Sequence, residues 1–182
     1  NKYGELVICN DGGKYWRKDI FPHYKANRKK SRDSSDLDWN VIHNIMNDLY
    51  QEVSATFPYK NVKIEKVEAD DIIAILCEKY HTEENIVIVS SDKDLMQLVG
   101  DGVTMLDAMK NKTIGPDQVM EKFGVGPDRV IDVQALAGDS SDNVPGVAGI
   151  GVKTAALLIN EYGDLDQVLA RAEEVKQPKR RQ

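Results

Sequence analysis

The chain has 182 residues, 41% of them hydrophobic, with a formal net charge of −6. That length suits one domain, or one core with a small appendage, and the apolar content suffices for a packed interior. No apolar run approaches the roughly 18 residues of a membrane helix, and the opening NKYGELVICND has polar residues where a signal peptide has its apolar region.

ELVICN (5–10) reads as a short strand that ends at Asp11, followed by the turn pair Gly12-Gly13. From Lys14 to Arg32 there are eight Lys or Arg against one acid, Asp19, with aromatic residues interleaved in YWRKDIFPHYKANRKKSR. Tyr24, Lys25 and Arg28 could share one helical face, which suits a strand's phosphate with a base stacked on the ring; a solvated basic loop is the other reading. The tail KQPKRRQ is basic as well. Asp36 to Phe57 has helical spacing in Leu37, Val41, Ile45, Leu49 and Val53. VKIEKV (62–67) reads as a strand and EADDIIAILCEKY (68–80) as a helix with Ile72, Ile73, Leu76 and Cys77 inward. NIVIVSS (85–91) is a strand of the buried parallel kind, DKDLMQLV (92–99) a short helix, and VTMLDA with KNKTIG two strands flanking a turn. Strand–helix–strand alternation predicts a parallel α/β sheet. After Pro116 the chain reads as all helical, so residues 1–115 form an α/β core and 116–182 a helical region. Cys9 and Cys77 sit in apolar stretches and are expected as buried thiols of a reducing cytosol.

Asp11, Glu68 and Asp92 each follow a predicted strand, and the carboxyl ends of parallel strands converge on one rim. With Asp70, Asp71, Asp94, Asp139 and Asp142 they would repel one another unless cations neutralised them. Hard divalent cations with oxygen ligands, Mg²⁺ or Mn²⁺, are the natural partners. Two such ions roughly 3.5–4 Å apart support in-line phosphoryl transfer. The alternative is local: acids in the first turn of 68–80 oppose the helix dipole, and Asp92 caps the helix that follows. A receiver domain also gathers acids at strand ends, but it would not have the helical tail.

GDSSDNVPGVAGIGVKTAALLI (138–159) fails the phosphate-loop pattern, because Val152 separates Gly151 from Lys153 and Thr154. Two helices joined by a glycine turn fit better, with Gly149 and Gly151 supplying permissive backbone angles. The second helix would then aim unpaired N–H groups and Lys153 at an anion, gripping a nucleic-acid backbone without reading its sequence.

VEADD (67–71), SSDKDLMQLV (90–99) and LAGDSSDNVPGVAGIGVKTA (136–155), in that order, resemble the flap endonuclease or 5′-nuclease family, over about residues 6 to 170. That family includes the 5′-nuclease domain of bacterial DNA polymerase I and the phage exonucleases. CNDGGKYWRKDIFPHYKANR (9–28) looks closest to its phage ribonuclease H members. The resemblance implies a parallel-sheet, PIN-like core with a helix-three-turn-helix region, and a Mg²⁺-dependent two-metal nuclease acting on 5′-ended or branched DNA and RNA/DNA duplexes. It implies that Asp11, Glu68, Asp70 and Asp92 serve the first metal, that Asp94, Asp139 and Asp142 serve the second, and that Asp71 is shared or one step removed. Lys25 and Arg28 would stabilise the scissile phosphate, with Tyr24 near the splayed nucleotide. Gly146, Gly149, Gly151, Lys153 and Thr154 would bind duplex backbone, with K⁺ on carbonyls near Val147 and Ile150. It further implies a cytoplasmic monomer of bacterial or phage origin, acting with replication proteins or a fused polymerase. Family members open with a strand bearing a further metal-binding Asp, so a trimmed N-terminus is expected. A non-catalytic branched-DNA module with an incomplete metal site is the alternative; a PIN-type endoribonuclease would not need the 138–159 hairpin.

Overall fold

A computed structural model describes residues 4–175, so the basic tail 176–182 lies outside the described residues. The chain divides into two compact units, Asn1–Ile75 and Leu76–Gln182.

In the first unit, β1 (Val7–Asn10) pairs in parallel with β2 (Lys60–Lys63), Val7 opposite Lys60 and Asn10 opposite Lys63. β2 ends four residues before the predicted Val67, because the chain turns there: Val67 donates its N–H to the Ile64 carbonyl at 3.1 Å, and Lys66 adopts a left-handed φ of 64°. The basic segment is not one loop. It contains α1 (Arg17–Ile20) and α2 (Asn27–Asp33), with Tyr24 and Lys25 in the turn between them. Lys25 has a φ of 53°, so Tyr24, Lys25 and Arg28 do not share a helical face, correcting that expectation. Side chains with a Cβ rarely occupy this region except where surrounding contacts enforce it.

α3 (Trp39–Thr56) starts where Asp38 accepts the N–H groups of Asn40 and Val41, three residues beyond the expected start. Its apolar stripe, with Val41, Ile45 and Leu49, is exposed among the described residues. α4 (Ala69–Tyr80) follows β2, and Ile72 and Cys77 are buried as its spacing required.

In the second unit, β3 (Ile86–Val89) pairs in parallel with β4 (Val103–Asp107), and β4 antiparallel with β5 (Lys112–Ile114). The described strands thus form two small sheets rather than the single sheet expected. A 3₁₀ helix, Lys93–Leu98, replaces the predicted short α-helix. The helices are α5 (Pro116–Phe123), α6 (Val130–Ala137), α7 (Val152–Tyr162) and α8 (Leu165–Ala170). Val119, Val130, Val133, Ala155 and Ile159 bring them together with almost no solvent exposure. A fully buried aliphatic side chain of this kind contributes about 1.5–3 kcal/mol.

The α6–α7 connection is pinned at its start. Asp139 and Val144 exchange backbone hydrogen bonds of 2.9 and 2.8 Å, closing a loop that contains Asp142. Beneath it, Gly138 and Gly146 press backbone to backbone. A Cβ on Gly146 would meet the Ala137 carbonyl at 2.3 Å, and one on Gly138 would meet Gly146 at a similar distance. Gly146→Ala is therefore expected to destabilise the folded protein by about 1–3 kcal/mol through overpacking, seen as a lower denaturation midpoint; an unchanged midpoint would count against this packing. Gly149 does take a left-handed φ of 80°, whereas Gly151 has an ordinary φ of −98° and caps α7, so only the first supplies a special backbone angle.

Candidate active site

The first cluster is built where the basic segment folds back over the start of α4. Glu68, 2% exposed, is the N-cap of that helix, yet its carboxylate serves another purpose. It accepts from Lys25 Nζ at 2.5 Å, from Arg17 Nη1 at 2.8 Å and from the Tyr24 hydroxyl at 3.0 Å. Asp71 meets the helix-opening requirement, because its Oδ2 accepts the Glu68 N–H at 3.1 Å. Asp71 is also gripped by both Arg17 terminal nitrogens, at 2.7 and 2.9 Å, and by the Trp16 indole N–H at 3.1 Å. Asp11 accepts the Ala69 N–H at 2.8 Å, so the residue after β1 meets the start of α4. Asp70 stands half-buried in the first turn of α4, and Arg28 lies exposed near the start of α2. Tyr24 is buried with its hydroxyl on Glu68; its ring is not the surface platform the sequence suggested. Trp16, 40% exposed, is the accessible ring nearby, with the Arg17 guanidinium 4.6 Å from its centroid.

The second cluster lies within the second unit. Asp92 caps the 3₁₀ helix by accepting the Asp94 N–H at 3.0 Å, as the local reading expected. Lys93 Nζ bridges Asp94, at 3.0 Å, and Asp139. Gln134 also donates to Asp94. Asp139 receives the Ser141 N–H at 2.7 Å and, more weakly, the Asp142 N–H at 3.4 Å. At the end of this loop, α7 begins with Lys153 exposed and Thr154 half-buried.

Sequence reasoning missed Arg17, Trp16, Lys93 and Gln134 as organisers of these carboxylates. The cation between Asp92 and Asp94 in SDKD was the legible signal for Lys93; nothing local marked Arg17 among the eight basic residues of its segment.

Electrostatics follow the contacts. The Arg17 hydrogen bonds hold the Asp71 carboxyl below the usual carboxylate range, and the same pair raises Arg17. Partial burial alone would raise the Asp139 carboxyl and lower the Lys93 ammonium, but their mutual bond outweighs it, lowering Asp139 and raising Lys93. Because the folded pKa of Asp71 lies below its unfolded value near 3.9, its stabilisation is complete above that value and is lost as pH falls through the folded one. Arg17→Gln is expected to weaken stability at neutral pH, measured in chelator, by about 1.5–3 kcal/mol. The variant should also lose less further stability than wild type below about pH 4. Parallel acid-unfolding curves would contradict this.

Among the described residues, no three His, Cys, Asp or Glu side chains already surround one point as a cation site. The donor chemistry nevertheless fits a hard divalent cation, since every member is a carboxylate. Lys25 and Arg17 hold Glu68, Arg17 also holds Asp71, and Lys93 bridges Asp94 and Asp139, so part of each set is already paired with a cation of the chain.

Residues 1–124 match the family described as 5′-3′ exonuclease, N-terminal resolvase-like domain, and residues 125–182 match 5′-3′ exonuclease, C-terminal SAM fold. The chain belongs to the 5′-3′ exonuclease family. It is 48% identical over 177 residues to DNA polymerase I of Rhizobium leguminosarum, covering 97% of this chain and 17% of that protein. It is 41% identical over 171 residues to the 5′-3′ exonuclease of Bacillus subtilis, covering 90% and 54% respectively. The chain thus spans about half the length of that exonuclease and a smaller share of the polymerase.

The fold is shared with the T5 D15 protein co-crystallized with metal ions, at a TM-score of 0.86 and 24% identity, covering 97% of this chain and 69% of that one. The catalytic core of Rad2 in complex with DNA substrate aligns more loosely, at a TM-score of 0.53 and 17% identity over 85% of this chain and 50% of that one. As in the family descriptions, a mixed α/β N-terminal part with parallel strands precedes a C-terminal helical part. No described helix is long and apolar enough to cross a membrane.

Proposed function

We propose that this 5′-3′ exonuclease family chain is a structure-specific 5′-3′ exonuclease and flap endonuclease that hydrolyses phosphodiesters of DNA and of RNA primers. The observation supporting it best is the pair of carboxylate sets, each held in part by a lysine, in a chain of this family. In this reading residues 1–115 are the nuclease core and 116–182 the duplex-gripping region. Asp11, Glu68, Asp70 and Asp92 would hold one divalent cation and Asp94, Asp139 and Asp142 a second, with Asp71 supporting Glu68 by accepting its backbone N–H. When bound, Mg²⁺, or Mn²⁺ in its place, would supply positive charge there and make a nearby water more acidic.

The chain's own groups do the rest. Tyr24 and Arg17 orient Glu68 by hydrogen bonds. Lys25, held by Glu68 until substrate arrives, turns with Arg28 towards the scissile phosphate and opposes its growing negative charge. The free N–H groups at the start of α7, with Gly146, Gly149, Gly151, Lys153 and Thr154, grip a duplex phosphate. Carbonyls near Val147 and Ile150 would hold K⁺ beside them. The partners are branched or 5′-ended DNA and RNA/DNA duplexes, met by a monomer in bacterial or phage-infected cytoplasm beside replication proteins or a fused polymerase.

A 5′-flap duplex incubated with Mg²⁺ tests this: 5′ products should form with wild type and vanish for Asp70→Asn and Asp92→Asn. Equal cleavage by all three overturns the assignment. A second reading, a branched-DNA-binding module without catalysis, is favoured by the lack of a gathered cation site among the described residues. Its signature is salt-sensitive binding with no Mg²⁺-dependent product.

A further inference from the structure

An open groove of about 400 Å³ runs along the second unit, bordered by the β4–β5 hairpin and α5. Four lysines line it, Lys93, Lys110, Lys112 and Lys122, against two carboxylates, Asp107 and Glu121. Such an excess of positive charge stands out in a chain whose net charge is −6. The carboxylates do not cancel it evenly. Asp107 is buried and held by Lys110 at 2.9 Å, which fixes the hairpin turn. Lys112 lies 3.7 Å from Glu121, both well exposed, a weak and screened contact. Lys122 is exposed and has no carboxylate within 4.0 Å among the described residues. The groove's lining also includes Met96 and Ile114, both buried side chains with apolar surface. At its other border stands Lys93, which bridges Asp94 and Asp139 of the second carboxylate set.

We propose that this groove is a backbone-binding subsite for a nucleic-acid strand that reaches the second carboxylate set. Phosphates lie against Lys112 and Lys122, with the strand running along the groove between the β4–β5 hairpin and α5. The volume falls in the range of about 300–1,000 Å³ typical of ligand sites, enough for one nucleotide unit at a time. The ammonium groups contact phosphate oxygens only, so the subsite adds affinity and salt dependence without sequence preference. The proposal rests on the reading that the chain acts on nucleic acid, and it names a contact that the carboxylates and the α6–α7 hairpin do not provide.

The test is fluorescence anisotropy of a labelled 5′-flap duplex over a series of salt concentrations. It compares wild type, the Lys112→Gln and Lys122→Gln single variants and their double variant, and Lys79→Gln as a control that removes one charge outside the groove. The exposed positions of both lysines predict an unchanged melting midpoint for the double variant. The slope of log affinity against log salt should become shallower by about 0.9 for each lysine removed, while Lys79→Gln keeps the wild-type slope. Wild-type binding with an unchanged slope in the double variant overturns the subsite but leaves the proposed function standing. Failure of wild type to bind the duplex overturns both. Competition by deoxyadenosine monophosphate as strong as by an oligonucleotide of equal nucleotide concentration assigns the groove to free nucleotide and overturns the strand assignment.

Discussion

Asp70→Asn and Asp92→Asn are each expected to lower 5′-flap cleavage by at least about a hundredfold, the upper end of what supporting groups around a metal cost when removed. These substitutions suit the test because folding should survive them. An asparagine at position 92 can still accept the Asp94 N–H, preserving the cap of the 3₁₀ helix. At position 70 the change removes one negative charge from the first turn of α4, costing about 0.3–1 kcal/mol of dipole interaction. Cleavage assays at several Mg²⁺ concentrations, with thermal unfolding run alongside, separate the outcomes. Loss of cleavage with an intact fold and retained duplex binding supports cation ligation. Full activity in either variant removes that carboxylate from the reaction.

Lys25→Met is expected to have the second large effect, and it should appear in stability before it appears in activity. Lys25 side-chain exposure is 10% and that of Glu68 is 2%, so the pair is nearly sealed from water. Deleting one partner of a buried pair costs about 3–5 kcal/mol; Arg17 and Tyr24 remain on Glu68, so the lower end applies here. The matched change Glu68→Gln, made together with Lys25→Met, should recover part of that loss. A double-mutant cycle should yield a coupling of about 0.5–3 kcal/mol, read from chemical denaturation in chelator. Additive losses would show that the two side chains act independently. With Mg²⁺ and a flap substrate, Lys25→Met should also slow cleavage by about a hundredfold or more, the scale for removing one transition-state stabiliser.

A tension inside the chain underlies the Lys25 prediction. Glu68, Asp71, Asp94 and Asp139 are held by Arg17, Lys25 and Lys93, so a cation entering either set would replace an internal ammonium or guanidinium.

Much of the architecture was written locally. β1 and β3, α4 and α5 to α8 follow from apolar periodicity and from punctuation by Asp, Gly and Pro, because those signals act within a few residues. The cap at Asp92 and the turn at Gly149 were legible for the same reason. The candidate carboxylates were visible as residues and as motifs, and family membership bears out the resemblance they suggested.

What the sequence could not supply was who holds them. That Asp71 caps α4 while Glu68 turns to Lys25 depends on a chain reversal bringing residues 17–25 onto residues 68–71. That Lys93 joins Asp94 to Asp139 depends on contact across more than forty positions. The facing of Gly138 against Gly146, and the burial of Tyr24, likewise required the packed chain. Short-range propensity fixes each element because its hydrogen bonds close within a turn or along one strand. The choice of partner for a buried charge is made only when distant segments exclude water together, and that decision belongs to the tertiary structure.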